Sequence, residues 1–572
     1  MRMTMHTRSG FISSILFLTA AALNAGSILV NKAGYLVNST KTVYLTESQD
    51  SFYVNDVSRN EIVFKGKSEL RKTNDPATGL TIYIGDFTSC KEPGKYFITD
   101  NFGNKSSEFE IGDNVFEPVF AKSLKGFYFQ RCGCELKSKF AGVYAHPVCH
   151  FETDGTFHGS TDTTGHSDVT GGWHDAGDYG KYVVNAGITL GTLLMAYEMF
   201  PEKFSADDLN IPESGNKIPD ILDECRYELN WLFKMQKADG QVYHKVTRET
   251  FAGFVMPQDD SVTRYIYRPS STATADFVSV MARAYRVFKK FDQEYAEKCL
   301  GAAEKSWSYL QAHPGIFPAF GFRNPEGTRT GVYGDRNDSD ERLWAAAELF
   351  ECTGDSLFKS YYENNYKKKG LFAGLMTWPN VTDMAHLTYL FGEAAGTDPG
   401  IKAELKTALI NFCDSLVQKS ESDGMNIVIT PGQYKWGSNS EVLNGALILI
   451  AGFQLTNNNE YYETALDQLN YILGTNANDI SYITGVGDKH IMHPHHRPSG
   501  ADDIAEPVPG LLSGGPDQYL SDAALRAKFT RSTPPALCFL DELPSFASNE
   551  ICLNWNAPLV FVAGWFNNSK KP

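Results

Sequence analysis

The sequence predicts a small all-β sandwich followed by a mainly α domain folded as an (α/α)6 barrel. Apolar residues alternate with period two from residue 28 to about 112, and from about 113 onward they recur at helical spacing. That second part contains about twelve helical segments joined by loops of very unequal length, enough for six hairpins in a ring. At 572 residues the chain is too long for one ordinary core, and 42% hydrophobic with 21% charged residues is a globular composition.

Residues 1–27 stand apart. Arg2 and Arg8 precede an apolar run from Phe11 to Leu23 that is short for a bilayer span and ends in small residues up to Ser27, the pattern of a cleaved secretory signal. The mature protein is therefore expected to be secreted, extracellular or periplasmic, with no membrane partner. Residues 28–112 read as about seven antiparallel strands, in runs such as KTVYLTES, SFYVND, LTIYIGDF and GKYFITD, with no cluster of histidines, cysteines or paired acids. Residues 113–572 read as the barrel. SEVLNGALILIAGF and GITLGTLLMAYEMF are apolar on all sides, as inner helices must be, and no strict repeat marks a solenoid. The loops near 141–180, 238–272, 313–338 and 475–548 are rich in Trp, Tyr, His, Gly and Pro, and chemistry is expected there.

Lys plus Arg total 52 against 68 acids, so the net charge of −16 repels polyanions and a nucleic-acid partner is not expected. The 28 Tyr, 37 Phe and 8 Trp supply faces for a core or for flat ligands such as sugars. There is no G-x-S-x-G elbow, Walker loop or dinucleotide fingerprint, and no organic cofactor is expected. Among ten cysteines, Cys225, Cys299, Cys352 and Cys413 sit in helical patterns as small core residues. Cys132, Cys134, Cys149 and His150, with His146 and His174 nearby, build either a disulfide or a metal site. Two Cys and two His satisfy tetrahedral zinc, whereas a disulfide leaves the histidines unexplained.

Three clusters carry acid–base chemistry. Gly171–Tyr179 holds Asp175 and Asp178 among glycines just before a helix. Met492–Pro498 presents His495, His496 and Arg497. Phe539–Glu550 delivers an acid to an apolar helix. An acid alone in such a place reads more readily as a helix-start charge. Together they favour hydrolysis of a glycosidic bond, one carboxylic acid protonating the leaving oxygen while a carboxylate activates water.

In this order the clusters resemble glycoside hydrolase family nine, the inverting endoglucanases, from about residue 114 to the C-terminus. The likeness rests on Gly172–Tyr179, on Ser481–Gly487 leading to Pro494–Arg497, and on Asp541 through Asn549–Glu550 to Ala557. Val30–Leu36 resembles the start of the immunoglobulin-like module of one branch of that family. The resemblance implies that Asp178 is the general base, assisted by Asp175, and that Glu550 is the general acid. It places His495 and Arg497 on sugar hydroxyls and Asp541 where an acid orients the loop. Tyr179 is implied to face substrate, and Trp378 and Trp436, with Tyr434, stand in loop contexts like those that line the family's clefts, where either tryptophan reads equally as core. It further implies a structural zinc on Cys132, Cys149, His150 and His174, with Cys134 left over, and a calcium near Asp335, Asp338, Asp340 and Glu341. Cys552 departs from the family's usual Ala, Ser or Thr, and Phe546 from Tyr. The expected activity is an endo-β-1,4-glucanase, a monomer acting on cellulose or another β-1,4-glucan. The alternatives are an exo-acting or oligosaccharide-preferring β-glucan hydrolase and a non-catalytic carbohydrate-binding protein.

Overall fold

The structure, a computed structural model, describes residues 27–567, so the export signal read at 1–27 lies outside the described residues except for Ser27. Among the described residues no helix is long and apolar enough to cross a membrane.

Seven strands form the N-terminal sandwich: β1 (Ile28–Leu29), β2 (Thr42–Leu45), β3 (Ser51–Asp56), β4 (Glu61–Lys72), β5 (Ile82–Asp86), β6 (Gly94–Asp100) and β7 (Phe109–Ile111). They pair antiparallel in the order β1-β2-β5-β4-β3-β6-β7. The run EIVFKG extends further than its alternation suggested. The first half of β4 pairs with β3 and its second half with β5, with a register shift in each ladder, so one strand belongs to both layers. Phe52, Phe87, Tyr35 and Phe109 fill the space between the layers. Gly66 and Gly85 lie against the Phe52 ring so closely that a Cβ on either would come within 2.1–2.2 Å of it.

The barrel is built from α1 (Glu117–Phe129), α2 (Ser138–Ala141), α3 (Val183–Met199), α4 (Asp220–Met235), α5 (Ser271–Phe288), α6 (Gln293–Ala312), α7 (Ser339–Thr353), α8 (Ser356–Asn365), α9 (Thr382–Phe391), α10 (Pro399–Ser422), α11 (Ser438–Thr456), α12 (Asn459–Ile472), α13 (Ala523–Lys528), α14 (Phe546–Asn549) and α15 (Leu553–Phe566). The predicted helical segments are all present; α2, α13 and α14 are short additions in loops. Helices α3, α5, α7, α9, α11 and α15 form the inner ring. α3 packs on α5 and α15, α5 on α7, α7 on α9, and α11 on α15. Next to α9, the Asn444 amide of α11 donates to the Met376 carbonyl in the segment before α9, at 3.0 Å. The inner helices are buried nearly all round, as their sequences require. Outer helices bury one stripe, such as Leu405, Leu409, Cys413 and Leu416 of α10. Side chains cap many helix starts: Ser270 accepts from the Ala273 amide at 3.1 Å and Asp292 from the Tyr295 amide at 3.0 Å.

The long loops contribute a second, small sheet that alternation did not reveal, because its strands have only two or three residues. It contains β8 (Gly155–Phe157), β9 (His166–Ser167), β10 (Lys181–Tyr182), β11 (Lys245–Thr247) and β12 (Tyr265–Ile266), in the order β10-β11-β12-β8-β9.

The sandwich and the barrel share a core. Leu29, Leu36, Tyr44, Ala77 and Ile82 belong to the same buried cluster as the barrel helices. Around it, Asn31 donates to Asn470 at 2.7 Å, Lys32 pairs with Asp479 at 2.7 Å, and the Arg71 guanidinium reaches the Glu421 carbonyl and Asn426.

Candidate active site

Several candidate residues cluster at one end of the barrel because they lie in segments just before inner helices, and His495, Arg497 and Asp541 come from the long stretch between α12 and α14. Asp175 and Asp178 precede α3, Tyr333 precedes α7, Trp378 precedes α9, Trp436 precedes α11 and Glu550 precedes α15. Helix N-termini therefore converge there, a field that favours acidic groups.

All three clusters meet at Gly177. A Cβ on Gly177 would come within 1.9 Å of the His495 carbonyl oxygen and 3.3 Å of a Glu550 carboxyl oxygen, so only glycine admits this approach. The Arg497 backbone amide and Nη1 both donate to the Gly177 carbonyl, at 3.1 and 2.6 Å. Glu550 itself is not part of helix α15. It sits in an extended stretch bridged to His495, while Ile551 bridges Ser513 and Cys552 bridges Ala176. The apolar helix begins three residues later than its pattern suggested because the acid-bearing segment is spent on pairing with the other two clusters.

The three carboxyls differ in environment. Asp178 Oδ2 accepts from the Gly180 amide at 2.9 Å and from the Tyr182 hydroxyl at 3.4 Å. Asp175 accepts from Asn185 and from the Tyr333 hydroxyl, both at 2.6 Å, and burial, followed by the Asp178 charge, pushes its carboxyl up to about 8. Burial, followed by the Asp178 charge, also holds the Glu550 carboxyl well above the usual carboxylate range, against the pull of Arg497.

His495 donates from Nδ1 to the Leu543 carbonyl at 2.7 Å, and burial lowers its pKa, so the neutral ring keeps Nε2 as an acceptor. Its ring lies between Phe254 at 5.2 Å and Phe546 at 6.0 Å, and Phe546 in turn meets Trp436 at 5.1 Å. This aromatic row is open to solvent at Phe254 and Trp436, which are 37% and 44% exposed. Trp378 packs on Tyr333 at 5.2 Å. Arg497 uses Nε and Nη1 on the Ala252 and Gly177 carbonyls, and its guanidinium lies 5.6 Å from the rings of both Phe251 and Phe254. Asp541 accepts from the Met492 and His493 amides, each at 2.8 Å, and from Asn549 at 2.9 Å, so it fastens the histidine loop to the segment carrying Glu550.

Three expectations require correction. Tyr179 is buried, packed on His150 and His174, and its hydroxyl is spent on the Val255 carbonyl, so it belongs to the cysteine–histidine cluster and offers no hydroxyl to a substrate. Tyr434 is likewise buried. The acids proposed for calcium are not gathered as ligands: Asp338 is held by Arg342 at 2.9 Å, and Asp340 by Lys369 at 2.5 Å and the Val381 amide at 3.0 Å. Glu341 is fully buried with neither oxygen hydrogen-bonded. The acidic group that the structure does assemble, Asp207, Asp220 and Asp223, has no compact sequence signature, and its carboxylates accept from the Leu209, Gly215 and Lys217 amides, Ser214 and Asn216.

Cys132, Cys149, His150 and His174 do come together, with ligand atoms all within 4.8 Å of one another. His150 Nδ1 and His174 Nε2 are 3.2 Å apart. Two nitrogens on one tetrahedral zinc, each at about 2.0–2.1 Å, stand about 3.3 Å apart, so the donor set and its spacing fit that metal. On the far side, His150 Nε2 meets Asp260 at 3.3 Å, the carboxylate–histidine arrangement that orients a metal ligand. Gln130 ties this cluster to the site: it donates to the His174 and Ala176 carbonyls and its oxygen meets His496 Nε2 at 3.0 Å.

Sequence reasoning missed Tyr182, Asn185, Phe254 and Tyr333. Tyr182 and Asn185 follow Asp178 closely and were open to discovery by position, whereas Phe254 and Tyr333 are brought in by tertiary folding alone.

An (α/α)6 barrel with clustered carboxyls, a histidine–arginine pair and an aromatic rim defines a glycoside hydrolase. The family model for glycosyl hydrolase family 9 matches residues 116–563, and that for the cellulase N-terminal ig-like domain matches residues 24–101. The chain belongs to glycosyl hydrolase family 9. It is 37% identical over 551 residues to Endoglucanase D of Acetivibrio thermocellus, covering 95% of this chain and 84% of that protein. It is 36% identical to the Cellodextrinase of Butyrivibrio fibrisolvens, covering 94% and 98%. A metagenome-derived family 9 endoglucanase superposes with a TM-score of 0.89 at 34% identity, covering 96% of this chain and all of that one.

Proposed function

We propose that this enzyme is a secreted endo-β-1,4-glucanase that cleaves β-1,4-glucosidic bonds of cellulose or a related β-glucan with inversion. The observation that carries this reading is the contrast between two acids brought together through Gly177. Glu550, in a buried setting that keeps its proton, is the general acid; Asp178, held by the Gly180 amide and Tyr182, is the base that takes a proton from water. Asp175, anchored by Asn185 and Tyr333, assists Asp178, and His495 and Arg497 bind hydroxyls beside the cleaved bond. The row Phe254, His495, Phe546 and Trp436 offers apolar faces to successive sugar rings. Glu550→Gln should lower kcat on carboxymethyl-cellulose about 10²–10⁴-fold with the fold intact; near-wild-type turnover would remove Glu550 from the acid role.

A second reading, action on short oligosaccharides or chain ends, is favoured by the likeness to a cellodextrinase across nearly the whole chain. Chromatography of early products from a soluble β-glucan separates the two: mixed lengths mark attack within the chain, one short product marks attack at its end.

We assign Cys132, Cys149, His150 and His174 to a structural zinc. All four protein positions of a tetrahedron are filled, so the metal would fix the loop that leads to Asp175 and Asp178 and leave no position for water. Elemental analysis should find one zinc per chain, lost in Cys149→Ser; unchanged zinc in that variant would refute the assignment.

A further inference from the structure

Lys245 is fully buried on strand β11, and among the described residues it makes no ion pair within contact distance of a carboxylate. A buried ammonium without such a partner is costly, and an apolar side chain would serve a strand core better. Its three N–H donors are matched by three acceptors: Asn324 Oδ1 at 2.7 Å, Thr330 Oγ1 at 3.0 Å and the Gly331 carbonyl at 2.7 Å. All three belong to one loop, 322–334, which precedes helix α7.

That loop reaches both aspartates, Asp175 directly and Asp178 through Tyr182. The Gly331 amide donates to the Tyr182 hydroxyl at 3.0 Å, and Tyr182 donates to Asp178 Oδ2 at 3.4 Å. Two residues on, the Tyr333 hydroxyl donates to Asp175 Oδ2 at 2.6 Å. The circuit is closed through the backbone, because Lys245 is the residue paired with Tyr182 across strands β10 and β11. Neighbouring groups grip the same loop: His244 Nε2 meets the Val332 carbonyl at 2.8 Å and its ring stacks on Phe322 at 3.8 Å. The ends of the loop are drawn together where only glycine fits, since a Cβ on Gly334 would come within 2.4 Å of the Phe322 carbonyl oxygen.

We propose that Lys245 is a positioning residue for the reaction: through the loop 322–334 it sets the directions of the Tyr182 and Tyr333 hydroxyls, and so the seating of the Asp178 and Asp175 carboxyls. The proposal rests on the reading of Asp178 as the base. Lys245 is fully buried, so its effect is expected in the chemical step and not in binding.

The test is steady-state kinetics on a soluble β-glucan, with thermal unfolding of each variant, for Lys245→Met, Thr330→Val, Tyr182→Phe and the Lys245→Met/Tyr182→Phe double variant, beside Asp178→Asn. A misaligned base costs turnover, so Lys245→Met should lower kcat about tenfold or more with KM within about twofold, and Thr330→Val should lower kcat less. Because both changes act along one path, the double variant should fall within about twofold of the weaker of the two singles. Thr330→Val and Tyr182→Phe keep the shape of the site and read the same path should Lys245→Met fail to fold. A Lys245→Met or Thr330→Val enzyme with wild-type kcat, or fully multiplicative effects in the double variant, would overturn the proposal. Full activity in Asp178→Asn would instead overturn the base assignment beneath it.

Discussion

Burial, then the Asp178 charge, raises the Glu550 carboxyl, while the Arg497 guanidinium pulls it down. A raised carboxyl carries its proton below its folded pKa and loses it as the pH rises through that value. With Glu550 as the proposed general acid, the protonated form is the active one, so activity should be lost on the alkaline side. Removing the guanidinium in Arg497→Gln should therefore move the alkaline limb of kcat/KM to higher pH, while Arg497→Lys, which keeps the charge, should leave it nearly in place; a pH–rate profile of the three enzymes checks this. That the motifs of Asp178, Glu550, His495 and Arg497 belong together was legible because each is a compact run of chemically unusual residues, and the fold joins them. Tyr179 was misjudged because adjacency to Asp178 says nothing about direction: the chain bends through Gly177–Tyr179, and Tyr179 packs on the histidines. Tyr333 gave no signal, since 158 residues separate it from the Asp175 carboxylate it supports.

Among elements, the inner helices are joined by polar contacts as well as packing. Glu348 of α7 receives Arg283 and Arg286 of α5, each at 2.6 Å, Thr388 of α9 at 2.8 Å and the Trp344 indole at 2.7 Å. The two guanidinia hold its carboxyl below the usual range despite full burial. Glu348→Ala would leave two arginines without their central partner and should cost about 3–5 kcal/mol, measured by thermal unfolding. The sign of the pH effect follows from the lowered pKa: this contribution is complete above the unfolded carboxylate pKa and is lost as the pH falls through the folded one, so the variant should differ less from wild type in acid. Helix existence was readable throughout, because an apolar stripe or an all-apolar run is a local property. The small sheet of β8–β12 and the extended setting of Glu550 were not, because pairing partners distant in sequence create both.

For the molecule as a whole, the sandwich closes part of the barrel's apolar surface. Ile82 is fully buried at that junction, and a Cβ on Gly424 would come within 2.6 Å of it. Ile82→Asp places an unpaired carboxyl there and should lower the unfolding midpoint of the barrel, while kcat at 25 °C stays near wild type because no catalytic group is touched; differential scanning calorimetry and an activity assay check the two halves. The order of sandwich and barrel was legible from the change of period near residue 113, but their shared core was not, since Leu29, Tyr44 and Ile82 read equally well as sandwich interior. The central claim is that Asp178 delivers water while Glu550 protonates the leaving oxygen in a single displacement. Proton NMR of a cello-oligosaccharide digest, recorded before the products mutarotate, tests this most directly. The account predicts that the α-anomer of the new reducing end appears first and the β-anomer only later; a β-anomer at the outset would contradict it.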